Sequence, residues 1–340
     1  MKKLLRHSSD TEPGIRRERR GRHWAYFDDA GDRVTDRGEI DRLNSIGLPP
    51  AYTNAWFCAD PNGHLQATGT DARGRKQYRY HSQYRAKREA AKYEKLLEFG
   101  KSLPRLRRRV EQDLKRRDLT RDAVLAAVVR LLDTEHIRVG NEEYVKQNKS
   151  FGATTLRSRH LKRTGHGLMM RFTGKHGIVH EVKITDTNLK RICKRCQDLP
   201  GQMLFQYVNG DGDPKPITST DVNDYIKEAA GDEFTAKHFR TWSASVIACE
   251  QMLKKAEDAR ISVKTVIEPV AEALGNTPAI SRKSYVHPKL LDAIKNNPRD
   301  PLSGLERPRG RSRLSSTEVA LLQFLARPRR RNKSPARAAA

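Results

Sequence analysis

The stretch GNTPAISRKSYV, residues 275–286, is the part of this chain that decides its fold and function, because it presents one tyrosine in a polar, basic setting. Toward the amino terminus stand KHFRTW at 237–242, FTGKHG at 172–177 and IRVGN at 137–141. Each stretch alone is a weak signal. In this order they supply a tyrosine, arginines and lysines, which are the residue types that chemistry at a phosphodiester requires.

Breaking a phosphodiester needs a nucleophile, positive charge on the non-bridging oxygens and a proton for the departing 5′ oxygen. Arg138 and Arg240 suit the second task, because a guanidinium matches phosphate oxygens with two planar donors. Lys175 stands at the tip of a predicted hairpin between strands at 168–173 and 178–184, where a flexible ammonium can protonate the leaving oxygen. These cations supply the charge that a magnesium ion would otherwise provide, so the sequence predicts neither a metal nor another cofactor.

As an ordered set, the four stretches resemble the type IB DNA topoisomerases, the group that includes bacterial and poxvirus enzymes. The resemblance covers roughly residues 23–295 and includes QATG at 66–69 and GRKQYRYH at 74–81. It implies a monomeric enzyme that nicks one strand of double-stranded DNA, lets the free end rotate and rejoins the strand, relaxing supercoils without ATP.

The resemblance also assigns roles to single residues. It implies that Tyr285 attacks to give a 3′-phosphotyrosyl bond, that Arg138 and Arg240 contact the scissile phosphate, and that Lys237 is a second basic residue there. Asn276 departs from the commonest pattern, because many family members have a histidine nine residues before the tyrosine. An amide can still donate a hydrogen bond to a phosphate oxygen, so we expect activity, without a proton-transfer role at this position.

The fold class indicated is α+β. Turn residues between short apolar runs predict a small β-rich amino-terminal domain, and helical spacing at 86–99 and 106–117 predicts a larger, mainly helical catalytic domain with a small hairpin sheet. The resemblance implies that the catalytic domain has the tyrosine recombinase/topoisomerase IB type of fold. The predicted divisions are a basic flexible arm at 1–22, a β-rich DNA-clamp domain at 23–85, the catalytic domain at 86–298 and a basic, largely disordered tail at 299–340.

Alternation along residues 75–80 predicts a strand with two different faces. Arg75 and Gln77 point to one side, and Tyr78 and Tyr80 to the other. A basic and aromatic strand suits contacts to a DNA groove and backbone, and we predict all four as DNA-binding residues. The resemblance further implies that the two domains clamp the duplex between them.

Composition agrees with a nucleic-acid partner. The chain has 67 Lys and Arg against 41 Asp and Glu, a net charge of +26 over 340 residues. Such an excess attracts a polyanion. No apolar run reaches the length of a membrane span or a signal peptide, so we expect a soluble cytoplasmic protein of the bacterial nucleoid.

The cysteines do not suggest a redox or metal site. There are four, too few for a disulfide framework. Cys193 and Cys196 form a CxxC, but no second pair lies at zinc-ligand spacing and the segment 189–199 has the pattern of a basic amphipathic helix. We predict a structural or incidental role for this pair.

Two other functions compete. A tyrosine recombinase uses a related arginine, lysine and tyrosine set, but recombinases usually carry a histidine three positions before the second arginine, where this chain has Lys237. Their amino-terminal domains are also helical rather than strand-rich. A non-catalytic nucleoid or RNA-binding protein would explain the charge but would leave the ordered motifs unexplained.

Overall fold

The computed structural model describes residues 4–21, 23–165, 167–254, 260–305 and 308–328. The chain divides into two compact units, Met1–Lys92 and Tyr93–Ala340. The first is rich in β-strands and the second is mainly helical with small sheets, as the sequence predicted. No described helix has the length and apolar character needed to cross a membrane.

The first unit is built on a five-stranded antiparallel sheet with the order β2-β1-β3-β4-β5. The strands are β1 (Gly14–Arg20), β2 (His23–Phe27), β3 (Thr53–Cys58), β4 (Leu65–Thr70) and β5 (Lys76–Tyr80). Helix α1 (Arg37–Ser45) is capped by Asp36, whose side chain accepts a hydrogen bond from the Glu39 amide. Its Leu43 is buried in a small core with Tyr26 and Phe57.

The expectation of a flexible arm over residues 1–22 is wrong for the described part. Strand β1 pairs with β2 and β3, and the backbone N–H of buried Ser8 donates to Nδ1 of His64 at 3.0 Å. Within β1, Ile15 enters the core while the guanidinium of Arg17 lies 4.6 Å from the Trp24 ring. The high charge of this segment suggested a flexible arm, but the strands that pair with it, β2 and β3, lie later in the chain.

The second unit contains the longer helices and two small antiparallel sheets, β6-β7-β8 and β10-β9. The helices are α2 (Ser82–Leu114, which begins in the first unit), α3 (Arg121–Thr134), α4 (Glu142–Asn148), α5 (Thr187–Gln197), α6 (Ser219–Ala230), α7 (Ala236–Leu253), α8 (Val263–Leu274), α9 (Pro278–Ser284), α10 (Pro288–Asn296) and α11 (Ser316–Ala326). The strands are β6 (Leu161–Thr164), β7 (Gly167–Thr173), β8 (Val179–Ile184), β9 (Gln206–Val208) and β10 (Pro214–Pro216). Helix α3 runs through the core, with nine of its residues buried.

The two helices predicted at 86–99 and 106–117 are one continuous helix, α2, which contains Pro104. An interior proline removes a backbone hydrogen bond and normally breaks a helix at a cost of about 3 kcal/mol. Here Leu103 and Leu106 are at most 1% exposed, so core packing on both sides of the proline offsets that cost. The predicted boundary at residue 85 therefore falls inside a helix.

The tail expected at 299–340 is also largely folded where it is described. Helix α11 packs against α7, and the Glu318 carboxylate accepts hydrogen bonds from Arg107 at 2.7 Å and from the Trp242 indole at 3.0 Å. The side chain of Ser315 caps the helix. The apolar segment 319–325 is helical, and the terminal PARAAA at 335–340 lies outside the described residues.

Candidate active site

Tyr285 is the first residue after α9 and is half-buried. The segment TPAIS at 277–281, a pattern that favours a turn, instead opens this short helix, because Thr277 caps it and Pro278 occupies its first position. Beyond the tyrosine, Val286 is fully buried and the His287 amide donates to Ser245 Oγ on α7 at 3.1 Å. The tyrosine is thus anchored on both sides in the chain.

Arg240 brings α7 to this tyrosine. Its guanidinium carbon lies 5.3 Å from the centre of the Tyr285 ring, and the residue is only 5% exposed. Two of its nitrogens donate to main-chain carbonyls, to Leu274 at 2.7 Å and to His136. His136 has a positive φ of 54°, an uncommon conformation that accompanies this contact with Arg240. The guanidinium is held in one orientation.

Arg138 lies beside the loop between α8 and α9. Its Nη2 donates to Oδ1 of Asn276 at 2.9 Å. The backbone around Arg138 is fixed because its carbonyl accepts from Ala153 at 2.8 Å, and because Gly152 approaches so closely that a Cβ there would lie 2.6 Å from the Arg138 oxygen and from the Gly140 nitrogen. Only glycine, which lacks a Cβ, can occupy position 152 at this distance.

In this group, the buried donors Nδ2 of Asn276 and Nε of Arg240 have no hydrogen-bond partner among the described residues. Unpaired buried donors are rare and costly, so a pair of them in one site requires an explanation. A phosphate oxygen would accept hydrogen bonds from such donors. The arrangement is therefore suited to bind an anion.

The charges also act on the nucleophile candidate. Burial and then Arg138 lower the pKa of Arg240 to about 10, which leaves it protonated at neutral pH. Burial alone would raise the pKa of Tyr285, but Arg240 and Arg138 outweigh it and hold that pKa below its ordinary value. A lowered phenol pKa favours attack by the oxygen.

The two lysines are placed differently. Strands β7 and β8 form the predicted hairpin, with the unpredicted β6 beside them, and Lys175 stands in the turn at its tip. Its ammonium lies 5.9 Å from the centre of the Tyr144 ring on α4. Lys237 is exposed in the first turn of α7, three residues before Arg240 and therefore on the same side of that helix.

The predicted DNA-binding residues lie on β5, an edge strand, or just before it. Tyr78 and Tyr80 are 45% and 39% exposed, and their rings stack with centres 6.1 Å apart. On the strand's other side, Gln77 and Arg75 both donate to one oxygen of Asp71, at 3.0 and 2.9 Å. The alternation predicted for this strand is confirmed.

Sequence reasoning missed two histidines. The His136 carbonyl holds Arg240, and the His180 ring lies beside Gly174 and Gly275, the residues that precede Lys175 and Asn276. Neither histidine belongs to one of the four stretches, although His136 directly precedes IRVGN. That adjacency was the one available signal.

The CxxC pair lies in α5 and is fully buried in the core. Burial raises the pKa of Cys196 to about 12 and raises that of Cys193 well above its ordinary value, so both thiols are protonated at neutral pH. These observations support the structural role. Within the described ranges, no group of His, Cys, Asp and Glu side chains is arranged to hold a metal ion.

Comparison with known proteins gives matches over most of the chain. Residues 81–300 match the family described as the catalytic core of eukaryotic DNA topoisomerase I, and residues 23–71 match the amino-terminal domain of bacterial DNA topoisomerase IB. DNA topoisomerase 1B of Acanthamoeba polyphaga mimivirus is 34% identical over 298 residues, which cover 84% of this chain and 88% of the relative. DNA topoisomerase 1B of vaccinia virus (strain Copenhagen) is 22% identical over 237 residues, 67% of this chain and 72% of that protein.

Proposed function

This chain belongs to the type IB DNA topoisomerases, and from that membership we propose that Tyr285 is the nucleophile that cuts and rejoins one strand of duplex DNA. The observation that carries the assignment is the joint position of Arg240, Arg138 and Asn276 around the tyrosine, where Nε of Arg240 and Nδ2 of Asn276 have no partner among the described residues. A phosphate bound there would pair both donors and meet two guanidinium groups.

In the cleavage step, the Tyr285 oxygen forms a bond to phosphorus while the bond to the 5′ oxygen breaks. The phenol gives its proton to water, and Lys175 gives one to the departing 5′ oxygen, so protons balance. Arg138, Arg240 and the Asn276 amide stabilise the charge on the non-bridging oxygens. Lys237, on the same side of α7 as Arg240, binds the same phosphate.

Rejoining is the reverse reaction. The 5′ hydroxyl attacks the phosphotyrosine, and the tyrosine leaves. Since the 3′-phosphotyrosyl bond conserves the energy of the phosphodiester, no ATP is consumed. Torsion in the DNA drives strand rotation between the two steps.

The first unit supplies DNA contacts remote from the chemistry. The stacked pair Tyr78 and Tyr80, with Arg75 and Gln77, binds the groove and backbone, and the two units close around the duplex as a clamp. We further propose that the enzyme acts as a monomer. Its net charge of +26 suits a protein that works on the bacterial nucleoid.

The test compares the wild type with Tyr285→Phe on negatively supercoiled plasmid in EDTA without ATP. We expect relaxation and a DNA-linked protein band on a denaturing gel for the wild type alone. Both proteins should bind DNA equally, since the substitution removes one oxygen. A covalent band that survives in Tyr285→Phe would refute the assignment, and exchange of strands between two specific sites without relaxation of the plasmid would indicate recombination instead.

A further inference from the structure

His180 occupies a position between two parts of the active site that the chain supplies separately. It lies in β8, opposite Phe172 in the sheet register, and the two rings stack with centres 5.1 Å apart and planes within 14°. This stacking fixes the plane of the imidazole and directs its free edge along the hairpin toward the tip that carries Lys175.

That edge faces two glycines. A Cβ at Gly174 would lie 2.7 Å from both Cδ2 and Nε2 of His180, closer than any real side chain approaches. A Cβ at Gly275 would lie 3.4 Å from Cε1 and 3.7 Å from Nε2 of the same ring. The imidazole therefore separates the residue before Lys175 from the residue before Asn276.

The glycines are suited to this contact in different ways. Gly275 ends α8 in the left-handed region, with φ of 56°, so its identity follows from its backbone. Gly174 has φ of −90°, which other residues adopt easily. The close approach of the His180 ring is what requires a glycine at 174.

The charge of the ring also matters at this position. Burial, then Arg138 and Arg240, lower the pKa of His180, so the imidazole is neutral at neutral pH. A neutral ring can lie near two guanidinium groups without repelling them or competing for the phosphate. A lysine or arginine of similar length would do both.

We propose that His180 is a positioning residue for strand cleavage, which sets the distance between the hairpin tip carrying Lys175 and the loop carrying Asn276. The inference rests on the proposed function, in which Lys175 protonates the leaving oxygen. Without the ring, Gly174 loses its support and the ammonium no longer meets the 5′ oxygen in the right place. A misplacement of about 1 Å can cost about 10²-fold in rate.

The test exploits the leaving group. A duplex carrying the strongest cleavage site of the wild type is made with either oxygen or sulfur at the 5′ position of the scissile phosphate. A thiol has a pKa of about 8.5 and leaves without being protonated, so sulfur makes the general acid dispensable. We expect His180→Ala to cleave the oxygen substrate about 10²-fold more slowly than wild type but the sulfur substrate nearly as fast as wild type. Lys175→Ala should likewise be slow on oxygen and recover on sulfur.

Two further variants separate positioning from folding. Val179→Ala changes the neighbouring residue of β8, which is 52% exposed, and should match wild type on both substrates. Gly174→Ala should show the same oxygen-specific defect as His180→Ala, because its Cβ displaces the ring. Combining both substitutions should add no further defect, since removing the ring makes room for the Cβ.

The outcomes are distinguishable. A His180→Ala rate within about twofold of wild type on oxygen, or an equal loss on oxygen and sulfur, would overturn the positioning role, whereas an oxygen-specific loss supports it. Failure of Lys175→Ala to recover on sulfur would also overturn it, because there would be no general acid to position. Failure of the proposed function itself would show differently, as a wild-type protein that forms no covalent complex.

Discussion

Asn276→Asp tests the anion site at the point where this chain departs from the common family pattern. The substitution keeps the size of the side chain and the oxygen that accepts from Arg138 at 2.9 Å. It replaces the buried, unpaired Nδ2 donor with a carboxylate oxygen. Removing one such donor costs about 10²–10³-fold in rate, and the new negative charge would repel the phosphate and neutralise Arg138. We therefore expect the cleavage rate to fall by at least about 10³-fold.

The measurement is the single-turnover rate of covalent-complex formation on an end-labelled duplex. Asn296→Asp on the exposed face of α10 changes the net charge equally and should cleave like wild type. Asn276→His, which restores a donor, should retain more activity than Asn276→Asp. If Asn276→Asp cleaved within about threefold of wild type, Nδ2 would not contact the phosphate and the reasoning would be refuted.

Three other changes have defined outcomes. Glu318→Ala leaves the Trp242 indole N–H without its acceptor and removes one of the two carboxylates that pair with Arg107, whose ion pair with Asp133 remains. The free energy of unfolding in urea should therefore fall by about 1–3 kcal/mol. The pKa of Glu318 is lowered in the folded protein, so its contribution to stability is present above the unfolded-state pKa and is lost on acidification. The difference in free energy of unfolding between variant and wild type should therefore shrink below pH 4.5. A difference that stays constant with pH would contradict this. Gly100→Ala places a Cβ in steric clash with the Trp242 ring. Although alanine has a higher helix propensity by about 1 kcal/mol, the variant should unfold in urea with a free energy about 1–3 kcal/mol lower than wild type. An unchanged urea midpoint would contradict this clash. Arg138→Gln removes a cation that lowers the pKa of Tyr285, so the pH profile of the residual cleavage should move to higher pH; an unshifted profile would contradict this electrostatic role.

Much of the fold follows from local patterns. The hairpin around Lys175 was predictable because glycines and lysine separate two apolar runs, and α5 because its apolar residues repeat at helical spacing. The elements that were mispredicted depend on distant partners. Strand β1 needs its two neighbours, and α2 continues through Pro104 because the leucines beside it are buried.

The candidate site shows the same division. Motif content and order identified Tyr285, Arg138 and Arg240 as a set without indicating which atoms meet. The roles of His136 and His180 could not be predicted from the sequence. A main-chain carbonyl that accepts from an arginine, and a ring that packs between two glycines, produce no recognisable pattern of residue spacing.

The sequence by itself determined which chemical groups this protein has and the family to which it belongs, since residue type and order are properties of the chain. Only the tertiary structure decided that Arg138 meets Asn276, 138 positions away, and that the Asn276 amide nitrogen finds no partner in the described part of the chain. Periodicity and turn chemistry act over a few residues. Contacts across that separation exist only when helices bury their apolar faces together, and that packing sets the distances on which the chemistry depends.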